Sequence, residues 1–158
     1  MLFALCATAS AQQAQKVPRI GFLVASNAAA STARIPAFRD GLRELGYVEG
    51  KNIILDIRYA DGKLDRLPAL AAELVATNVD VIVTAGPADT RAARKATRSI
   101  PIVMTFDNDP VGNAFAASLA HPGGNITGLS TQAPRTERKT TGAFERSNTE
   151  TFPRRGLW

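Results

Sequence analysis

The sequence predicts an α/β fold built on a doubly wound parallel sheet, and three observations carry that prediction. Short runs of strand formers alternate with amphipathic stretches along the chain. The joint Phe38-Arg-Asp-Gly-Leu-Arg-Glu-Leu-Gly-Tyr-Val-Glu-Gly-Lys-Asn52 ends a helix at Gly46, turns at Glu49-Gly50 and leads straight into a strand. Glycine takes the left-handed conformation that closes a helix without steric cost. Strands separated by helices of this length require right-handed crossovers, which stack strands in parallel.

Arg19-Ile-Gly-Phe-Leu-Val-Ala25 is the first expected strand, apolar enough to be covered on both faces. Ser26–Thr32 is small and polar and reads as a loop. From Ala33 to Leu45, Ile35, Phe38, Leu42 and Leu45 recur at helical spacing. Ile53–Tyr59 is the second strand, and Ala60-Asp-Gly62 has turn chemistry. Asp65–Ala76 is the second helix, with Pro68 in the first turn, where it is tolerated. Val79–Thr84 is the third strand, Ala88–Thr97 a third helix, and Ile100–Phe106 the fourth strand, with Pro101 near its start. Asp107–Gly112 is expected as a loop, Ala114–Leu119 as a short helix and Asn125–Ser130 as a weaker fifth strand.

Composition narrows the function classes. The chain has 158 residues, enough for a domain with a proper core, and 45% are hydrophobic. Its net charge is +5, yet residues 135–158 hold six basic and three acidic side chains, which accounts for +3 of it. With aromatics at 6% and so little charge on the body, no nucleic-acid partner is expected.

Met1–Ala11 is apolar and small, and Ala9-Ser10-Ala11 fits a signal-peptidase site ahead of polar Gln12–Gln15. The run lacks a basic start and is too short to span a bilayer. It is read as the back half of a signal peptide, so that residues 1–17 are leader and linker. Leu5 precedes Cys6 where a lipoprotein box needs a small residue, and Cys6 would leave with the leader.

In an open parallel sheet, ligands sit beyond the carboxyl ends of the strands, where the winding direction switches. Topology therefore picks out three loops. Ser26 and Asn27 follow the first strand and either bond a ligand carboxylate or amide, or cap the following turn. Thr84, Gly86, Asp89 and Thr90 surround the start of the third helix. Free N–H groups there suit an anion, whereas Asp89 suits a cap or an amine. Phe106 either stacks on an apolar ligand or packs in the core, and Asp107 either pairs an ammonium or closes an Asx-turn. His121 is the only histidine and reads as a loop residue; no P-loop, G-x-G-x-x-G or nucleophile elbow is present, so neither cofactor nor metal nor catalysis is expected.

These segments resemble a family of bacterial ABC-importer substrate-binding proteins. The wording is Arg19-Ile-Gly-Phe-Leu, then Phe38 through Ile53 as quoted, then Asp65-Arg-Leu-Pro-Ala-Leu-Ala-Ala-Glu-Leu-Val and Val79-Asp-Val-Ile-Val. It continues with Ile100-Pro-Ile-Val-Met, Asp109-Pro-Val-Gly and Pro122-Gly-Gly-Asn-Ile-Thr-Gly-Leu-Ser130. The resemblance covers roughly residues 18–134 and implies the N-terminal lobe of a type I periplasmic-binding fold. It also implies a small-molecule solute, such as an amino acid, held between two lobes in the periplasm and handed to an ABC permease in the inner membrane.

After Pro134 the texture changes. Residues 135–158 show neither helical nor strand period and are expected to be a disordered tail. Codons compatible with Arg135–Gly156, read one base later, spell E-L-S-G-K-R-L-E-L-L-K-E-A-I-P-K-L-S-R-V-A. That is an amphipathic helix of the wording the family uses at this point, so a frameshift after Pro134 is expected. Two other classes share the fold. A regulator's ligand-sensing domain would need a helix-turn-helix before Arg19, and a flavodoxin-like enzyme would need a phosphate loop at Ser26–Ala30; neither is present.

Overall fold

The structure is a computed structural model, and it describes residues 16–131. The expected leader before Lys16 and the expected tail beyond Thr131 lie outside the described residues.

Five parallel strands form one sheet in the order β2-β1-β3-β4-β5. They are β1 (Arg19–Val24), β2 (Ile54–Tyr59), β3 (Val81–Thr84), β4 (Ile102–Asp107) and β5 (Ile126–Ser130). The helices are α1 (Arg34–Glu44), α2 (Leu67–Ala76) and α3 (Pro87–Ala96), with 3-10 turns at Ala29–Ser31 and Leu64–Arg66. The doubly wound parallel sheet is therefore the architecture the alternating runs predicted.

Successive residues of β1 face opposite layers. Ile20, Phe22 and Val24 join Ile35, Phe38 and Leu42 of α1 on one side of the sheet. The Phe22 and Phe38 rings meet edge to face at 5.1 Å. Leu23 looks the other way, into Leu67, Leu70, Ala71 and Leu74 of α2 and Ala92 and Ala93 of α3. Gly21 shares this second face, where a Cβ would stand 3.1 Å from a Leu74 methyl and 3.3 Å from Val79. The missing side chain lets α2 lie close against the central strand.

The joint after α1 closes as its wording predicts. Gly46 has φ +85°, Tyr47 N–H donates to Leu42 O at 2.8 Å, and Gly46 N–H donates to Arg43 O at 3.0 Å. That pair of bonds is a Schellman cap. Leu45 lies past the last helical turn and is 75% exposed, so it contributes nothing to the stripe that its spacing suggested.

One element differs from expectation: Ala114–Leu119 is not a helix. Ala114 has φ +57°, and Phe115 N–H reaches back to Pro110 O at 2.8 Å. Ala117 and Ser118 instead donate forward, to the carbonyls of Pro122 and His121. Six residues without a cap make a costly helix nucleus. Here Phe115 is buried against the α3 layer with the Arg91 guanidinium 5.9 Å from its ring centre, and tertiary packing sets the path. His121 is a loop residue whose N–H donates to Ser118 Oγ at 3.0 Å.

Candidate functional site

α1 lies on one face of the sheet, and α2 and α3 lie on the other. The winding direction therefore reverses between β1 and β3, which are neighbours. Where two crossovers part, their loops diverge and leave a crevice. The crevice is an open recess of roughly 340 Å³ lined by Val24 at the end of β1, Ala25 and Ser26 after it, Ala30, Arg34 of α1, and Ala85 through Asp89. That volume is at the lower end for a small-molecule site, as befits an open wall.

Ser26, Gly86 and Asp89 line this recess. The Ser26 hydroxyl lies 3.1 Å from Ser31 Oγ, and Ser31 Oγ donates its proton to Asn27 O at 3.0 Å. With that proton spent, Ser26 is the donor to Ser31, and its own oxygen is left as an acceptor. Asn27 is exposed, and its Oδ1 caps the following 3-10 turn by accepting Ala30 N–H at 2.8 Å. The capping alternative describes what Asn27 does here.

Thr84 and Thr90 are completely buried and pair with each other at 2.7 Å. Thr90 Oγ1 also donates to Gly86 O at 2.9 Å, so Thr84 donates to Thr90. Their hydroxyls brace the β3–α3 joint from beneath, which corrects the expectation that they face a ligand. Gly86 is fully extended (φ −176°, ψ −175°) and is the N-cap of α3, whose first residue is Pro87.

Asp89 sits in the first turn of α3 with 2% of its surface exposed. Its Oδ2 accepts Ala85 N–H at 3.1 Å, while Oδ1 has no hydrogen-bond partner. Burial raises its pKa from 3.8 to about 6. Backbone N–H groups of Ala85, Ala25 and Gly86, and the charge of Arg34, pull the other way without offsetting it. The first turn of α3 thus carries a carboxylate of its own, which disfavours a second anion there.

At the end of β4, Asp107 is completely buried and belongs to its own loop. Oδ1 accepts Asp109 N–H at 2.6 Å, an Asx-turn, and both oxygens accept from Asn113 Nδ2, at 3.1 and 3.2 Å. The turn alternative describes what Asp107 does here. Phe106 is 45% exposed beside it and outside the core clusters.

Arg34, which the sequence reading passed over, lines the recess as the first residue of α1. Its guanidinium has no hydrogen-bond or ion-pair partner among the described residues. A cation at a helix N-terminus opposes the macrodipole, and that local conflict is the signal that would have found it.

The site thus combines a parallel sheet, a crevice at its switch point and a wall with buried polar groups. The chain belongs to the ABC transporter substrate binding protein family, whose model matches residues 19–140. It is 36% identical over 93 residues to the tyrosine-binding protein of Clostridioides difficile (strain R20291), across 59% of this chain and 27% of that one. Among solved structures, a conserved domain protein from Vibrio cholerae superimposes with a TM-score of 0.69 at 35% identity, covering 75% of this chain and 40% of that one. The ABC domain in complex with L-Trp from Streptococcus pneumonia gives 0.68 at 27% identity, covering 73% and 39%. The chain therefore spans about a quarter of the curated relative's length and about two fifths of the two solved chains.

Proposed function

We infer that residues 18–134 are the N-terminal lobe of a solute-binding protein and supply one wall of a cleft that closes on a small amino-acid-like molecule. The observation that carries this reading is the recess between β1 and β3, which places Ser26, Arg34, Gly86 and Asp89 around one opening at the switch point. The names of the tyrosine-binding relative and the L-Trp complex support an amino acid as the ligand class. The protein binds and presents its solute without chemical change. It works in the periplasm after removal of a leader ending near Ala11, and it delivers to an ABC permease in the inner membrane.

On this reading the partner lobe lies in the frame shifted after Pro134. Affinity in such a site comes from burying the solute between two walls. Deleting one base near codon 135 gives the longer chain. Calorimetry with a panel of aromatic and aliphatic amino acids is expected to find a ligand that the longer chain binds at least tenfold more tightly than the 158-residue chain, a difference of about 1.4 kcal/mol or more. Equal affinity in the two forms, or no ligand for the longer form, refutes the reading.

A further inference from the structure

Asp89 Oδ1 and the Arg34 guanidinium share the recess, and neither has a hydrogen-bond partner among the described residues. A buried carboxylate oxygen without a donor is a costly arrangement unless something else supplies the donor. Arg34, exposed at the start of α1, is a cation set against the helix macrodipole. Ser26 adds an acceptor oxygen beside them, for the reason given above. The residues lining one recess thus supply both acceptors and a cation. The two charges influence each other without closing an ion pair.

We propose that Asp89 and Arg34 hold the two ends of a zwitterionic solute, the ammonium against Asp89 Oδ1 and Ser26 Oγ, and the carboxylate against the Arg34 guanidinium. This assignment rests on the solute-binding reading above and deepens it. It explains why a carboxylate stands at a helix N-terminus where an anion site was expected: the ligand's anionic group goes to α1 instead. It also couples binding to protons. The groups acting on Asp89 are Arg34 from α1, the Ala25 N–H after β1, and the Ala85 and Gly86 N–H groups at the β3–α3 joint. An incoming ammonium joins them in favouring the ionised form, so below pH 6 binding releases a proton and weakens about tenfold per pH unit.

The test uses the 158-residue chain, NMR, and three probes at up to about 20 mM, since one wall is expected to bind in the millimolar range. L-Tryptophan carries both charges, tryptamine lacks the carboxylate, and N-acetyl-L-tryptophan lacks the ammonium. Tryptamine is expected to shift the Ala85 and Gly86 amides and to lower the titration midpoint of the Asp89 carboxyl carbon. N-acetyl-L-tryptophan is expected to shift the Arg34 Nε resonance and leave that midpoint unmoved. Asp89→Asn should weaken tryptamine at least tenfold and spare N-acetyl-L-tryptophan, and Arg34→Gln should do the reverse, each variant with an otherwise native spectrum. A tryptamine response unchanged in Asp89→Asn overturns the assignment. So does L-tryptophan binding that leaves the Asp89 midpoint in place, although the solute-binding reading then survives. Silence from all three probes overturns the assignment, and the solute-binding reading then stands or falls with the longer chain.

Discussion

Asp89 Oδ2 accepts the backbone N–H of Ala85 at 3.1 Å, reaching back four residues across the joint between β3 and α3. The bond orients a buried carboxylate whose other oxygen has no partner, and burial raises its pKa from 3.8 to about 6. The folded state thus holds this proton more tightly than the unfolded chain does. Below about pH 4 both states are protonated and the group costs nothing. Between about pH 4 and 6 the folded state loses stability, and above 6 the full cost applies, at most about 3 kcal/mol. Asp89→Asn keeps an acceptor for Ala85 and removes the charge. It is expected to stabilise the chain by about 1–3 kcal/mol at pH 7.5 and by much less at pH 4, as measured by urea unfolding. A variant less stable than the parent at pH 7.5 would contradict the assignment of a strained carboxylate.

The Thr84–Thr90 hydroxyl pair makes an asymmetric prediction. Thr90→Val strands the Thr84 proton, while Gly86 O keeps the backbone N–H of residue 90, and is expected to cost about 1–3 kcal/mol. Thr84→Val leaves the Thr90–Gly86 bond intact and should cost about 1 kcal/mol. The double variant should cost less than the two single costs together. Denaturant midpoints of the three proteins check this. An equal cost for the two single variants would mean the proton direction is wrong.

Much of this was legible in the sequence because it depends on short-range pattern. The apolar runs of β1, β3 and β4 and the Gly46 stop each sit within a few residues of the structure they specify. The missed helix at Ala114–Leu119 shows the limit. Its path is set by Phe115 sinking under Arg91 and by carbonyls at Pro110 and Pro122, contacts that no local period encodes. Of the three loops that topology picked out, those after β1 and β3 line the recess and the one after β4 does not. Which side chains face the opening was not legible. Thr84, Thr90 and Asp107 turn inward to partners that are chosen by the bend of each loop, while Arg34 stands in a helix that the pattern treats as scaffold.

Gly21 is the close-approach residue of the central strand. Gly21→Ala would place a methyl 3.1 Å from Leu74 and is expected to cost about 1–3 kcal/mol. Combining it with Leu74→Ala should be less damaging than the sum of the two, because each change makes room for the other. Strict additivity in thermal or urea unfolding would contradict the contact.

Asn113 secures the loop after β4 through Asp107. Asn113→Ala leaves the buried Asp107 carboxylate with fewer donors and is expected to cost about 1–3 kcal/mol. Hydrogen exchange should speed up at the Asp109 and Gly112 amides, which donate within this loop, and stay unchanged at β1. Uniform acceleration across the sheet would show that the loop is not a local unit.

On the proposed reading, solute binds at the carboxyl end of the sheet, against the wall between β1 and β3. Ala30 is exposed on that wall, and Lys51 is exposed beyond the Schellman turn, ahead of β2 at the sheet's other end. The decisive measurement is the calorimetric affinity of the frame-restored chain for its best amino-acid ligand, with Ala30→Trp compared against Lys51→Trp. Filling the recess is expected to weaken binding at least a hundredfold, about 2.7 kcal/mol, while the Lys51 variant binds as the parent does. Parent-like affinity in Ala30→Trp, with loss in Lys51→Trp, would place the solute at the wrong end of the sheet and contradict the account.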